Sequence, residues 1–273
     1  MGFISSLLGR SLLNENFLSA CANSSFVLAG LEQFIKDGAN PKIAEYRSLD
    51  KFKPFSGFTP LHYICYASSL EQPKMVKLLL AKKINSNALT RFEATPLHII
   101  AANPFAQQDS WEALLSAKTN VNAVDSTGMT ALHYAVQSAN LELVTRLIKS
   151  GADVNYVPDR GKNYDGNPPI HSAVLGCERS DKCIDIIKLL LENKASTDLS
   201  GPQKKPVFMF TAQRFDRVKG FCDAGAGQEY IDQLERLDKV LNLFKEIDMK
   251  KSASPKRSDN PDDIPPPLGG GDS

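Results

Sequence analysis

The stretch that decides the fold is Thr130-Ala-Leu-His-Tyr-Ala-Val-Gln-Ser-Ala-Asn140, continued by Leu141-Glu-Leu-Val-Thr-Arg-Leu-Ile-Lys-Ser-Gly151 and Ala152-Asp-Val-Asn155. It reads as two short helices and a turn. Thr130 is a favourable N-cap, its hydroxyl placed to accept from a free N–H of the first turn. Leu132, Ala135 and Val136 share one face of the first helix, and Asn140 marks the break. Leu143, Val144, Leu147 and Ile148 then form an apolar stripe at i, i+1, i+4, i+5 on the second. Gly151 ends it, because glycine enters the left-handed region without steric cost. Neither helix is long enough to stand alone in water, so each needs a neighbour.

The same pattern recurs along the chain. Thr59-Pro-Leu-His62, Thr95-Pro-Leu-His98, Thr130-Ala-Leu-His133 and Pro168-Pro-Ile-His171 are one tetrad, with histidines stepping by 36, 35 and 38 residues. An apolar run follows each: Met75 to Leu80, Trp111 to Leu115, Leu143 to Ile148 and Ile186 to Leu191. A fixed period in this range is the mark of a solenoid. The tetrad opening and the Gly151-Ala-Asp-Val-Asn155 close, with fragments at Asn120-Val-Asn122 and Gly38-Ala-Asn40, resemble the ankyrin repeat family over roughly residues 14 to 226. The resemblance implies an all-α ankyrin-repeat solenoid of stacked helix pairs with β-hairpin-like connections; the apolar periodicity over 228–249 adds a C-terminal capping helix, and the composition from Lys250 a disordered tail. It also implies a structural role for Thr59, His62, Thr95, His98, Thr130, His133 and His171, each ring bonding the tetrad threonine and nearby backbone.

The expected organisation is a lead-in over 1–13 and a degenerate capping repeat with a long loop over 14–57. Repeats follow over 58–93, 94–128, 129–166 (with an extended hairpin) and 167–203. A worn repeat over 204–227, with Phe208 in the histidine position, precedes a capping helix over 228–249 and a tail over 250–273. Terminal repeats lose their motif because their outer face meets water. Along the capping helix Ile231, Leu234, Leu237, Leu241, Phe244 and Ile247 recur every three or four residues; a coiled-coil seam is the alternative, though the helix barely offers three heptads.

Composition narrows the function classes. Of 273 residues, 42% are apolar and 23% charged, and the net charge of +1 argues against an electrostatically driven nucleic-acid binder. No run of 18 apolar residues exists to span a membrane. Met1-Gly2 with Ser6 matches a crude myristoylation pattern, but Phe3 is bulky where a small residue is usual. Five cysteines without a Cys-x-x-Cys read as buried thiols in a reducing, cytoplasmic setting. Cys177 and Cys183, six apart, read as part of a plain inter-helix loop, with pairing or metal binding as the alternatives.

All four histidines occupy the tetrad, so none is left for a triad or a metal site. No glycine-rich phosphate loop precedes a helix. The expectation is therefore a non-enzyme without metal or cofactor, probing the world as a monomeric protein-binding module. Enzyme chemistry on the same scaffold, from an unobvious carboxylate or thiol cluster, stays as the alternative of a different class. A bacterial effector delivered into a host cytoplasm by its tail is a variant of the first reading.

The resemblance places partner contacts just after each tetrad and at the hairpin tips. The candidates are Tyr63, Tyr66, Ile99, Tyr134, Gln137 and Leu175 in the groove, with Phe92 and Tyr164 at the tips beside Arg91, Arg160 and Lys162. Tyrosine offers contact area and a polar handle at small entropy cost. The competing reading is that these rings shield the seams between repeats.

Overall fold

The computed structural model describes residues 13–21, 27–42, 57–158, 166–199, 205–225 and 227–253. Among them lie twelve helical segments and no strand. The first is α1 (13–21), followed by α2 (Leu28–Lys36). Four helix pairs come next: α3 (Pro60–Tyr66) with α4 (Gln72–Ala81), α5 (Pro96–Ala102) with α6 (Gln108–Ser116), α7 (Ala131–Gln137) with α8 (Leu141–Lys149), and α9 (Pro169–Gly176) with α10 (Lys182–Glu192). The chain closes with α11 (Val207–Asp223) and α12 (Gln228–Ala253). The first helices stack on one another in sequence, α3 on α5 on α7 on α9, so the all-α solenoid expected from the period is the architecture found.

Each first helix is short and almost wholly buried, which explains its Leu/Ile/Ala composition. Each second helix buries one stripe and wets the other: Leu143, Val144 and Leu147 of α8 are buried while Glu142 and Lys149 face out. One continuous core runs from Phe17 to Phe244. Such a core is needed because no pair can bury both its faces alone.

The second helices all end in the left-handed region, at Lys83, Lys118, Gly151 and Lys194, with φ of 55°, 56°, 90° and 67°. Only one of the four is glycine. A lysine there costs roughly 1 kcal/mol in backbone sterics, which the stacked neighbours offset. Outside the helices an asparagine row ties repeat to repeat. Asn87 Oδ1 accepts from Asn120 N–H (2.7 Å), Asn122 Oδ1 from Asp153 N–H (2.9 Å) and Asn155 Oδ1 from Ser196 N–H (2.7 Å). Their Nδ2 groups donate to the carbonyls of Lys118, Gly151 and Lys194. These bonds satisfy backbone groups of the turns that follow the second helices.

Two expectations are corrected. Cys177 and Cys183 are not thiols in a plain loop; they form a disulfide. Cys177 is the C-cap of α9 and Cys183 lies in the first turn of α10, so the fold brings them together with a Cα–Cα distance of 5.1 Å. Second, Pro206 is the N-cap of α11, which puts Met209, not Phe208, at the histidine position. The helix there is a single one of 17 residues, far longer than a first helix of the stack. Its partner α12 buries Leu237, Val240 and Phe244 and continues to Ala253, past the expected end at 249. The lead-in to residue 12, the loop 43–56, the extended hairpin 159–165 and the tail from 254 lie outside the described residues.

Candidate partner-binding surface

The first helices are held in register by the tetrad. Thr130 N–H donates to His133 Nδ1 (3.2 Å), and the Thr130 hydroxyl lies 2.8 Å from the same nitrogen. His133 Nε2 lies 3.1 Å from the Asn167 carbonyl, 34 residues away. A backbone N–H only donates and a carbonyl only accepts, so Nδ1 is bare and Nε2 carries the proton. The ring is therefore neutral. His62 bonds Thr59 and the Ala94 carbonyl in the same way, and His98 bonds Thr95 and the Met129 carbonyl. Each acceptor is the residue just before the next N-cap, so one side chain fixes both its own turn and the next repeat. Burial pushes the pKa of His62 and of His133 down to about 4, and lowers those of His98 and His171. Desolvation is the first cause in all four, as expected where charge would enter a dry seam.

The register sorts the candidates into two rows. Four residues past the N-cap come Tyr63, Ile99, Tyr134 and Ser172. Seven past it come Tyr66, Ala102, Gln137 and Leu175, on the outer rim. The structure does not leave the inner row open throughout. Tyr63 is only 5% exposed, its ring 5.1 Å from Phe58, and is thus a core residue rather than a contact residue. Ser172 is buried. Ile99 and Tyr134 are half-buried. Tyr134 donates its hydroxyl to Asp125 Oδ2 (2.6 Å) and sets its ring edge-on to His98 at 6.0 Å. It presents one flank outward and uses the rest as a strut.

The outer row is more open. Tyr66 is 57% exposed, Gln137 is exposed and Leu175 is half-buried. Phe92 is exposed at a hairpin tip beside Arg91, and its carbonyl accepts from Ser126 N–H of the next tip (2.8 Å). Tyr164, Arg160 and Lys162 lie outside the described residues. The basic edge expected at the tips is thus represented by Arg91 alone among them.

The residues that sequence reasoning missed lie on the segment that follows Tyr66 and on the next segment, which is hydrogen-bonded to it. Leu70 is 91% exposed and Phe105 73%. They come from the inter-helix segments of the first two stacked pairs, which both carry extra residues. Those segments are laced together: Asn103 Nδ2 donates to the carbonyls of Cys65 (3.2 Å) and Tyr66 (3.1 Å), Gln107 Nε2 to Ser69 (2.8 Å), and Gln107 N–H to Gln72 Oε1 (3.3 Å). Gln72 in turn donates to Ile64, Cys65 and Ala67 carbonyls. A segment this well bonded presents its apolar side chains outward with the cost of ordering its backbone already met. The signal in the sequence was the pair of insertions. What it lacked was a reason to expect Leu70 and Phe105 to point to water.

Asp125 was also missed. It is buried, and its carboxylate accepts from Thr127 N–H (2.9 Å), Thr127 Oγ1 (2.6 Å), Met129 N–H (3.0 Å) and the Tyr134 hydroxyl. It builds the hairpin tip that carries the groove.

No group of three metal-ligating side chains occurs among the described residues, and no helix among them is long and apolar enough to cross a membrane. A groove between α6 and α8 holds Glu112 and Glu142, but Arg146 Nε ties Glu112 at 2.8 Å and no histidine or cysteine lines the groove.

The family model described as ankyrin repeats (3 copies) matches residues 18–125, 64–158 and 99–200. The Notch-regulated ankyrin repeat-containing protein of Homo sapiens is 37% identical over 94 residues, which is 34% of this chain and 73% of that protein. The tyrosine-protein kinase Shark of Drosophila melanogaster is 35% identical over 109 residues, 39% of this chain and 11% of the kinase. The B-cell lymphoma 3 protein homolog of Mus musculus is 28% identical over 142 residues, 51% of this chain and 29% of that protein. The chain thus spans under a third of the latter two.

Proposed function

The chain belongs to the ankyrin repeat family, and from that premise we propose that it acts without catalysis, by binding a partner protein along the rim of its first helices. The observation that carries this reading is the group Tyr66, Leu70 and Phe105: three large apolar side chains, all strongly exposed, on two neighbouring segments that hydrogen bonds hold rigid. Exposed apolar groups that are pre-organised gain the full benefit of burial when a partner covers them. The contact extends along the rim through Gln137 and Leu175, with Phe92 and the outer flank of Tyr134 as its second edge. Neither 66–70 nor 102–108 carries an ionisable side chain apart from Tyr66, so the matching segment of the partner is apolar and uncharged at its centre.

The test is a pull-down with the full chain against a Tyr66→Ser, Leu70→Ser, Phe105→Ser variant, followed by affinity measurement on any retained protein. Removing three exposed anchors should weaken binding by about 2 kcal/mol or more, while the melting temperature stays unchanged because none of the three is buried. A partner that binds wild type and variant equally would move the site elsewhere.

A further inference from the structure

The segment joining α9 to α10 is built unlike its counterparts. The ends of α3 and α5 are tied by the next repeat: Asn103 reaches the Cys65 carbonyl, and Ser138 Oγ the Ala101 carbonyl (2.8 Å). After α9 the partner comes instead from the C-terminal hairpin. Arg236 of α12 donates through Nε to the Cys177 carbonyl (2.7 Å), through Nη2 to the Glu178 carbonyl (3.5 Å) and through Nη1 to the Asp181 carboxylate (3.2 Å). Gln233 Nε2 donates to the Glu178 carbonyl (2.9 Å), and Arg214 of α11 pairs with the Glu178 carboxylate. A guanidinium at a helix C-terminus satisfies open carbonyls and complements the helix dipole. The same short segment is closed at its two ends by the Cys177–Cys183 disulfide, and both cysteines are buried.

We propose that Cys177 and Cys183 form a redox site whose state sets how firmly the α11–α12 hairpin is seated on the stack, and that the seated hairpin shields the bond in return. The disulfide fixes the two carbonyls that Arg236 and Gln233 grip relative to α10. Without it, the end of α9 moves independently of α10, and the grip loosens. Reduction in turn requires a thiolate to reach a buried sulfur, which needs local opening of the segment that Arg236 clamps. The two effects are one linkage seen from either side. The oxidant is a small-molecule disulfide such as oxidised glutathione. One cysteine thiolate attacks a glutathione sulfur and expels one glutathione thiolate, giving a mixed disulfide. The second cysteine thiolate then attacks the protein-bound sulfur of that mixed disulfide and expels the other glutathione. Two protein thiols and one glutathione disulfide become one bridge and two glutathiones; a dithiol reductant reverses the sum.

The test uses the full wild-type chain, incubated either with excess oxidised glutathione or with dithiothreitol, and follows amide hydrogen exchange. Exchange across 228–253 should be roughly tenfold faster in the reduced form, since weakened bonds to a charged donor are worth about a decade in an opening equilibrium. Exchange across α7 and α8 should not change. In a second arm, Arg236→Ala should let dithiothreitol reduce the bridge about tenfold faster, read by maleimide labelling of Cys177 and Cys183 peptides under native conditions. Free thiols at both positions after glutathione disulfide treatment would overturn the proposal. So would equal exchange in the two redox states, or wild-type reduction kinetics in Arg236→Ala. The wild-type comparison decides even if the variant folds poorly, and nothing in it depends on partner binding.

Discussion

Two tetrads of the same chain, Thr130-Ala-Leu-His133 and Pro168-Pro-Ile-His171, share their histidine but open on different residues, and that first residue makes them differ in kind. At Thr130–His133 the ring nitrogen Nδ1 has a backbone N–H and a hydroxyl beside it. At Pro168–His171 it has neither, and His171 Nδ1 is buried without a partner. Proline carries no N–H and no hydroxyl. Both rings still reach the next repeat through Nε2, to Asn167 and to Lys205, each at 3.1 Å. The comparison separates the two duties of this histidine. Holding its own turn depends on threonine; linking to the next repeat does not. The second duty survives where the first is lost, which is why the fourth pair stays stacked although its opening is imperfect.

Acid is the broadest way to probe the comparison. The folded pKa values of His62 and His133 are near 4, below the unfolded value of about 6.5. Between these values the unfolded chain binds protons that the native chain refuses. Stability is therefore full above pH 6.5 and falls as pH drops towards 4, by about 1.4 kcal/mol per pH unit for each such ring. Urea unfolding at pH 7, 6 and 5 should show this slope. His133→Ala should flatten it more than His171→Ala does. An unchanged slope in His133→Ala would show that the buried ring is not what responds to pH.

At neutral pH, His133→Ala should cost about 1–3 kcal/mol in equilibrium unfolding, because Thr130 N–H and the Asn167 carbonyl lose their partner in a buried seam. His171→Ala loses neither of the two contacts that Thr130 makes with His133, since His171 Nδ1 has no partner, and should cost roughly 1 kcal/mol less. Equal losses would mean that the threonine bonds add nothing. The smallest effect is a gain. Pro168→Thr restores both donors at a backbone whose φ of −55° and ψ of 158° lie in the same extended region as the −98° and 167° of Thr130. It should raise stability by about 0.5–1 kcal/mol, the new bonds being offset in part by the lost rigidity of proline. A lower melting point in that variant would show that the orphaned nitrogen has another remedy.

Much of the fold was legible because its signals are local. Thr95-Pro-Leu-His98 contains its own cap, its own first turn and the ring that braces it, all within four residues. The stripe of α8 lies within two turns. The candidate surface was legible only in part. Tyr66 and Tyr63 look alike in sequence, three apart on one short helix, yet one faces water and the other packs under Phe58. That difference depends on Phe58, outside the helix. Leu70 and Phe105 were invisible as a pair because the bonds that align them run between residues more than 30 apart.

The sequence alone therefore determined the repeat, its period and the helix pairs, since each rests on residues a turn or two apart whose geometry the backbone imposes. The tertiary structure decided which carbonyl each histidine reaches and which tyrosine is covered. It also decided that Cys177 meets Cys183 and that Arg236 closes the end of α9. Those outcomes depend on how one repeat lies on the next, and a hydrogen bond spanning 34 or 59 residues leaves no mark in the local pattern of either partner.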